Sequence, residues 1–203
     1  MKKTILASAI AAATFSGAAL AQESNLPTVY GNIQYALTYN DVENEAGQKF
    51  NGLEHFDNGT TLGVAHEHEI APGIKGFLKL ELEGINADDK AKSSGIDKLD
   101  EAYIGVKGDN FGQVWVGSDD STYERAIDEI ANFYEIGTMN LGGSYETGEG
   151  DLIQYMSPSF GGLTLGAAGQ VNGDAKEGGK SYPWQLSAVY AVDALEHAFA
   201  VDS

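Results

Sequence analysis

Cysteine is absent from the 203-residue chain, so neither disulfides nor thiolate metal sites are available to it. Proline is scarce, with only 4 residues, whereas glycine is frequent, with 26. Together with 10 tyrosines and 8 phenylalanines, this composition favours many strands joined by tight turns over helices. Stability must therefore come from the backbone hydrogen bonds and side-chain packing of those strands.

Basic residues are also few, with 12 against 30 acidic residues and a formal net charge of −18. Such an acidic chain repels the phosphates of nucleic acid, which we exclude as a partner. The same charge favours cations as partners, or acidic loops that are simply solvated.

Long apolar runs are missing except at the N-terminus. Lys2 and Lys3 precede an apolar stretch that ends in the cleavage pattern Ala19-Leu20-Ala21, which is typical of a signal peptide. The stretch is too short and too interrupted for a membrane anchor. We therefore predict a signal peptide over residues 1–21 and an exported β-domain over residues 22–203. The rest of the chain holds no run that predicts an inner-membrane helix.

Residues 29–39 alternate with period 2, a pattern that over about 10 residues is typical of a membrane β-barrel strand. One face carries the apolar set Val29, Ile33, Tyr35, Leu37 and Tyr39. Similar patterns predict strands at 60–70, 75–83, 100–107, 113–117, 151–157, 163–171, 182–192 and 197–203. In the eighth of these nine strands, Leu186 and Tyr190 should face outward, and Gln185 and Ser187 inward.

The predicted connections alternate in length. Those after the first, third, fifth and seventh strands are long and polar, and the others are short, as in outer-membrane barrels. We therefore expect an all-β fold, a transmembrane antiparallel up-and-down β-barrel in contact with outer-membrane lipid. Because a barrel must close and the chain stops within its ninth strand, we expect this sequence to be the N-terminal part of a longer barrel.

Three segments carry a family resemblance. They resemble segments of the Gram-negative general porins and comprise residues 29–33, 99–112 and 151–163. The second contains the run Tyr103-Ile104-Gly105-Val106-Lys107-Gly108, and the third contains Tyr155-Met156-Ser157-Pro158-Ser159-Phe160. The resemblance implies homotrimers of roughly 16-stranded barrels in the outer membrane. It also implies passive diffusion of small hydrophilic solutes and ions, with neither a cofactor nor catalysis.

The resemblance further implies a loop after the fifth strand that folds into the pore and narrows it. That loop carries the candidate constriction acids Asp119, Asp120, Glu124, Asp128, Glu129 and Glu135. Wall positions that are often basic in relatives correspond to Asn32, Thr61 and Asp100, none of which is basic here. Lys75 and Lys79 are the candidate wall cations instead. This imbalance predicts a cation-preferring pore.

Other chemistry is weakly indicated. His66 and His68 share a strand face and offer two metal ligands, but no third ligand accompanies them. The pairs Asp119-Asp120 and Asp128-Glu129 offer oxygen ligands for calcium, or an acid–base couple, without the spacing of an EF-hand. We predict no metal site. The alternative functions are a barrel that acts as a surface adhesin or structural envelope protein, and an acidic secreted enzyme or binding module.

Overall fold

The computed structural model describes residues 26–44, 47–131, 147–171, 173–174, 179–192 and 195–202. The predicted signal peptide and Glu135 lie outside these ranges. Within them, no helix is long and apolar enough to cross a membrane.

The described chain is built from strands and one helix. In chain order they are β1 (Thr28–Asn32), β2 (Tyr35–Glu43), β3 (Lys49–Asp57), β4 (Thr61–Ala71), β5 (Ile74–Glu83), β6 (Lys98–Gly108), β7 (Gly112–Ser118), α1 (Thr122–Ala131), β8 (Leu152–Met156), β9 (Leu163–Gln170), β10 (Gly173–Asp174), β11 (Lys180–Ser181), β12 (Trp184–Val192) and β13 (Leu195–Asp202).

The principal sheet has nine strands in the order β1-β4-β5-β6-β7-β8-β9-β12-β13. From β6 onward, each neighbouring pair is antiparallel, with partners such as Val116 and Ile153, or Leu186 and Ala167. Strand β2 pairs with β3, and β10 with β11, in two separate hairpins. The nine predicted strand positions thus correspond to the nine strands of this sheet, with β2 continuing the first.

The chain divides into two compact units. Of the described residues, those between 28 and 64 and between 81 and 99 belong to the first unit, and those between 65 and 80 and between 100 and 202 belong to the second.

The first predicted strand is interrupted, and a hairpin of β2 and β3 replaces most of the long loop that was predicted to follow it. The strand breaks after Asn32, and β2 then runs on to Glu43 and returns through β3, where a polar loop was predicted. Hydrogen bonds between Asn44 and Gln48 join the two, and Gly47 takes a φ of 78° that favours glycine. Strand β3 escaped prediction because its mixed sequence, KFNGLEHFD, alternates poorly.

The short connections are confirmed. Strands β4 and β5 are separated only by residues 72–73, and β6 and β7 only by residues 109–111. Gly73 and Gly112 adopt φ values of 75° and 80°, which suit these tight turns. The predicted turn at 193–196 is wrong in its second half, because Leu195 already pairs with Val192 at the start of β13.

The two faces of the second unit are of opposite character. Side chains on one face are apolar yet exposed, among them Ile104, Val116 and Leu186. The other face buries polar groups, including Gln154, which is 1% exposed, and Gln185, which is 0% exposed. We call the latter the loop-side face, since α1 covers part of it, and the former the outer face. A soluble protein would place its apolar side chains the other way round.

Candidate functional site

Helix α1 begins in a capping box that the sequence analysis overlooked. The hydroxyl of Ser121 accepts a hydrogen bond from the backbone N–H of Glu124 at 3.1 Å, and the sequence Ser-Thr-Tyr-Glu has the capping-box spacing. Tyr123 and Ala126, three residues apart, are both buried. These signals would have predicted a short helix inside the long acidic loop.

The helix lies against the loop-side face of β8, β9 and β12, and also contacts β13. Gln154 fixes its first turn: its Oε1 accepts a hydrogen bond from the N–H of Thr122 at 2.8 Å, and its Nε2 donates to the carbonyl of Asp120 at 2.9 Å. Gly166 leaves room for Thr122, because a Cβ on Gly166 would lie 2.8 Å from the Cβ of Thr122. This glycine therefore allows the loop to approach the sheet closely.

The C-terminal end of the acidic loop is held as well. Thr147 donates a hydrogen bond to the buried Oε1 of Gln185 at 2.8 Å, and Gln170 donates to the carbonyl of Gly150 at 2.9 Å. Both ends of the loop are thus tied to polar side chains of the loop-side face. The described ends of the loop therefore lie on this face of the sheet, whereas its predicted inward fold into a pore stays a prediction.

Asp119 anchors the start of the loop and is not a free pore charge. Its carboxylate accepts a hydrogen bond from the indole of Trp115 at 2.7 Å and forms an ion pair with Arg125, and only 1% of its surface is exposed. Burial raises the pKa of Asp119 to about 6, against the opposing effects of Arg125 and Trp115. We therefore correct its expected role from constriction acid to structural anchor.

Three other acids of the loop, which are partly or fully exposed, form a cluster. Carboxylate oxygens of Asp120, Glu124 and Glu149 all lie within 4.8 Å of one another. Glu149 was not among the predicted site residues. Asp128 and Glu129 belong to α1, but their side chains, like all of Glu135, lie outside the described residues.

The two predicted wall cations are both paired with glutamates of the loop-side face. Lys75 lies 2.9 Å from Glu67, whose other oxygen pairs with Lys107, and Lys79 lies 2.5 Å from Glu101. These pairings join residues of neighbouring or next-neighbouring strands, so no local pattern in the sequence indicates them.

Two aromatic rings lie between these ion pairs. The rings of Phe77 and Tyr103 meet edge to face, with centroids 6.3 Å apart, and the ammonium of Lys107 lies 5.7 Å from the centre of the Phe77 ring. Gly105 makes room for this arrangement, because a Cβ there would lie 2.5 Å from the Phe77 ring. The loop-side face thus combines charged pairs with aromatic surface.

The remaining predicted wall residues divide between the two units. In the first unit, Asn32 and Thr61 are neighbours, and both the N–H and the hydroxyl of Thr61 donate to Asn32 at 2.9 and 3.0 Å. In the second unit, strand alternation places Asp100 on the same face as the exposed Ile104. The assignment of Asp100 to the inner wall is therefore corrected in favour of its neighbour Glu101.

His66 and His68 lie on the outer face. Their ring centroids are 5.1 Å apart, and they border an apolar groove of about 420 Å³ with Leu78, Ile104 and Val116. No third ligand joins them within the described residues.

Comparison with known proteins agrees with this architecture. Residues 7–203 match the family model of Gram-negative porins. A monosaccharide porin of Halomonas sp. and the major outer membrane protein of Halomonas elongata are each 38% identical over 193 residues, covering 87% of this chain and 51% of theirs. An outer membrane porin protein of Bordetella pertussis is 27% identical over 184 residues, covering 82% of this chain and 47% of its own.

Among solved structures, the anion-selective porin from Comamonas acidovorans matches with a TM-score of 0.66 at 20% identity, covering 87% of this chain and 57% of its own. The fold is thus that of an antiparallel outer-membrane β-barrel. The chain belongs to the Gram-negative porin family, whose place is the outer membrane. It spans about half the length of the curated relatives that it matches.

Proposed function

We propose that the complete protein forms a water-filled channel through which small hydrophilic solutes and ions diffuse passively across the outer membrane. The observation that carries this proposal is the inverted character of the sheet, whose loop-side face is polar while its outer face is apolar and exposed. Lipid requires apolar side chains on the outside of a barrel, and water inside it tolerates charged pairs. Conductance of the full-length protein in planar bilayers tests the proposal, and a protein that inserts without conducting would contradict it.

In this channel, the acidic loop narrows the passage. The described parts of the loop, residues 119–131 and 147–150, are held on the loop-side face by Gln154 and Asp119 at its start and by Gln185 near its end. A loop held in this way occupies space that would otherwise belong to the lumen. Within the second unit, the pore wall would include Lys75 and Lys79 in their ion pairs. Asn32 and Thr61 of the first unit remain predicted wall residues.

We further propose that the channel prefers cations. Lys75 and Lys79 are each paired with a glutamate, and the carboxylates of Asp120, Glu124 and Glu149 lie within 4.8 Å of one another on the loop. Charges in a narrow lumen are screened less than charges at an open surface, so such a cluster lowers the energy of a passing cation. The preference belongs to the loop rather than to the wall.

Reversal potentials across a salt gradient measure this preference. Replacing Asp120, Glu124 and Glu149 together by the corresponding amides should move the reversal potential toward zero. The matched control is Asp97→Asn, which removes an exposed carboxylate of the other unit. Anion preference of the unmodified channel at neutral pH would refute the proposal.

The complete protein is also proposed to assemble as a homotrimer. The apolar groove of the outer face contains His66 and His68, and imidazoles are poorly suited to contact with lipid tails. A neighbouring subunit would cover them at lower cost. Chemical cross-linking of the protein in outer-membrane vesicles tests this, and a purely monomeric pattern would contradict it.

A further inference from the structure

The loop-side face carries a ladder of paired charges interrupted by aromatic rings. The pairs are Lys75 and Lys107 with Glu67, Lys79 with Glu101, and Arg125 with Asp119. Phe77 and Tyr103 lie among them. We propose that this ladder binds neutral polyhydroxylated solutes of hexose size as they pass, an inference that rests on the proposed channel.

The charge arrangement favours neutral solutes over ions. Each cation of the ladder has a carboxylate within 4 Å, and Lys75, which shares Glu67 with Lys107, also lies in the field of Asp109 and Glu69. Positive and negative groups therefore alternate over short distances. The fields of such pairs largely cancel at the distance of a hydrated ion. An ion therefore gains little electrostatic energy there, whereas a hydroxyl group can accept a hydrogen bond from the cation of a pair and donate one to its carboxylate.

The paired groups can form hydrogen bonds with a solute as well as with each other. A lysine ammonium has three donors and a carboxylate has about four acceptor positions, so a solute hydroxyl can join a group that already has a partner. The side chains of Lys79 and Glu101 are 26% and 17% exposed, and those of Lys107 and Glu67 are 38% and 37% exposed. Adjacent hydroxyls of one sugar ring can therefore reach an ammonium and a carboxylate together.

The aromatic rings supply the complementary apolar surface. A hexose presents a flat face of C–H groups, and aromatic side chains offer rigid apolar surface for such a face. Phe77 rests over Gly105, which fixes the ring close to the sheet, and Tyr103 meets it edge to face. Both rings are partly exposed. Ion pairs and apolar rings thus lie at adjoining positions along β5 and β6.

The ladder continues into a polar cavity near the short turns of the sheet. This cavity has a volume of about 720 Å³ and is bordered by Lys75, Lys107, Asp109 and Gln113. Small-molecule sites commonly measure about 300–1,000 Å³, so the space suits a hexose with its hydration water. A solute bound at the aromatic pair therefore has a polar space beside it into which it can move.

Current through the full-length channel in a planar bilayer tests the inference. D-glucose should reduce the current with a saturable dependence on its concentration. Triethylene glycol, which lacks adjacent hydroxyls, should give only a small reduction that does not saturate. Phe77→Leu should raise the half-saturating glucose concentration by about 2- to 12-fold, the equivalent of about 0.5–1.5 kcal/mol for an aromatic contact. Glu101→Gln should raise it as well.

The control is Leu80→Ala, on the outer face of the same strand as Phe77, which should leave the glucose effect unchanged. Tyr103→Phe retains the ring and serves as a milder second variant. A conducting channel with no saturable glucose effect would overturn this inference and leave the channel proposal intact. Equal shifts in Phe77→Leu and Leu80→Ala would also overturn it. A protein that does not conduct at all would instead defeat the proposed function.

Discussion

The indole N–H of Trp115 donates a hydrogen bond to the carboxylate of Asp119, with 2.7 Å between Nε1 and Oδ2. Trp115 lies within β7, and Asp119 is the first residue after that strand. The bond therefore fixes the chain at the point where the acidic loop leaves the sheet. Arg125 pairs with the same carboxylate from the first turns of α1, so one buried group connects strand, loop and helix.

Removing this carboxylate should loosen the loop. Asp119→Ala leaves both Arg125 and the indole of Trp115 without their partner, at a cost of about 1–2 kcal/mol, or a factor of about 5–30 in the population of the open loop. Trypsin cleavage after Arg125 in the full-length protein should accelerate by a similar factor, because proteolysis follows the open population. Asp119→Asn retains an acceptor for Trp115 and should show a smaller effect. Equal cleavage rates in the wild type and Asp119→Ala would contradict the anchoring role.

The anchor should also respond to pH. Burial raises the pKa of Asp119 to about 6, above its ordinary 3.8, with Glu101 and Asp120 adding to the rise and Arg125 opposing it. The closed loop therefore holds more protons than the open loop between these two values. Protonation of Asp119 therefore stabilises the closed loop fully below about pH 4, and this stabilisation is lost as the pH rises through about 6.

Hydrogen exchange measures this dependence. After correction for intrinsic exchange rates, the amides of α1 should be better protected at pH 5 than at pH 7.5. Asp119→Asn cannot titrate and should remove the difference. If protection were greater at pH 7.5, the ion pair with Arg125 would dominate and the expected direction would be wrong.

Gly166 should be sensitive to a single added methyl group. A Cβ at this position would lie 2.3 Å from the hydroxyl of Ser187 and 2.8 Å from the Cβ of Thr122. Gly166→Ala should therefore displace α1 at a cost of about 1–3 kcal/mol. Gly169→Ala in the same strand is the matched control, because no atom lies within 4 Å of the added group. Single-channel conductance should change in the first variant alone, and identical conductance in both would show that the loop does not rest on Gly166.

Periodicity allowed the strands to be predicted well, because each face meets a different environment along its whole length. Periodicity does not predict which side chains of neighbouring strands contact one another. The alternation around Leu186 predicted its exposed face, but Glu67 pairs with Lys75 and Lys107 through strand register, which no local pattern encodes. The buried state of Asp119 likewise depends on Trp115 and Arg125 meeting in space.

Two omissions had readable signals. The capping box at Ser121 marks the start of α1, and strict alternation through β6 would have placed Glu101 rather than Asp100 on the loop-side face. Strand β3 is different, because Gly52 and its polar neighbours give it no clear periodicity. Its pairing with β2 supplies the order that its own sequence lacks.

Substitutions within β7 test the orientation of the sheet. Val116 is 43% exposed on the outer face, whereas Gln113 borders the polar cavity of the loop-side face. Arginine on a lipid-facing site near the membrane midplane costs about 2–4 kcal/mol of folding free energy, and this cost falls toward zero at the interfaces.

Val116→Arg should therefore impair assembly of the full-length protein into the outer membrane, whereas Gln113→Arg should assemble normally and alter conductance. The yield of folded protein, measured as the heat-modifiable band of outer-membrane fractions, compares the two. Both variants add the same side chain to the same strand, so the change in net charge is matched. They differ chiefly in the environment that receives the arginine. If Gln113→Arg failed to assemble while Val116→Arg assembled normally, the loop-side face would be the one in contact with lipid, and the channel proposal would fail with that reversal.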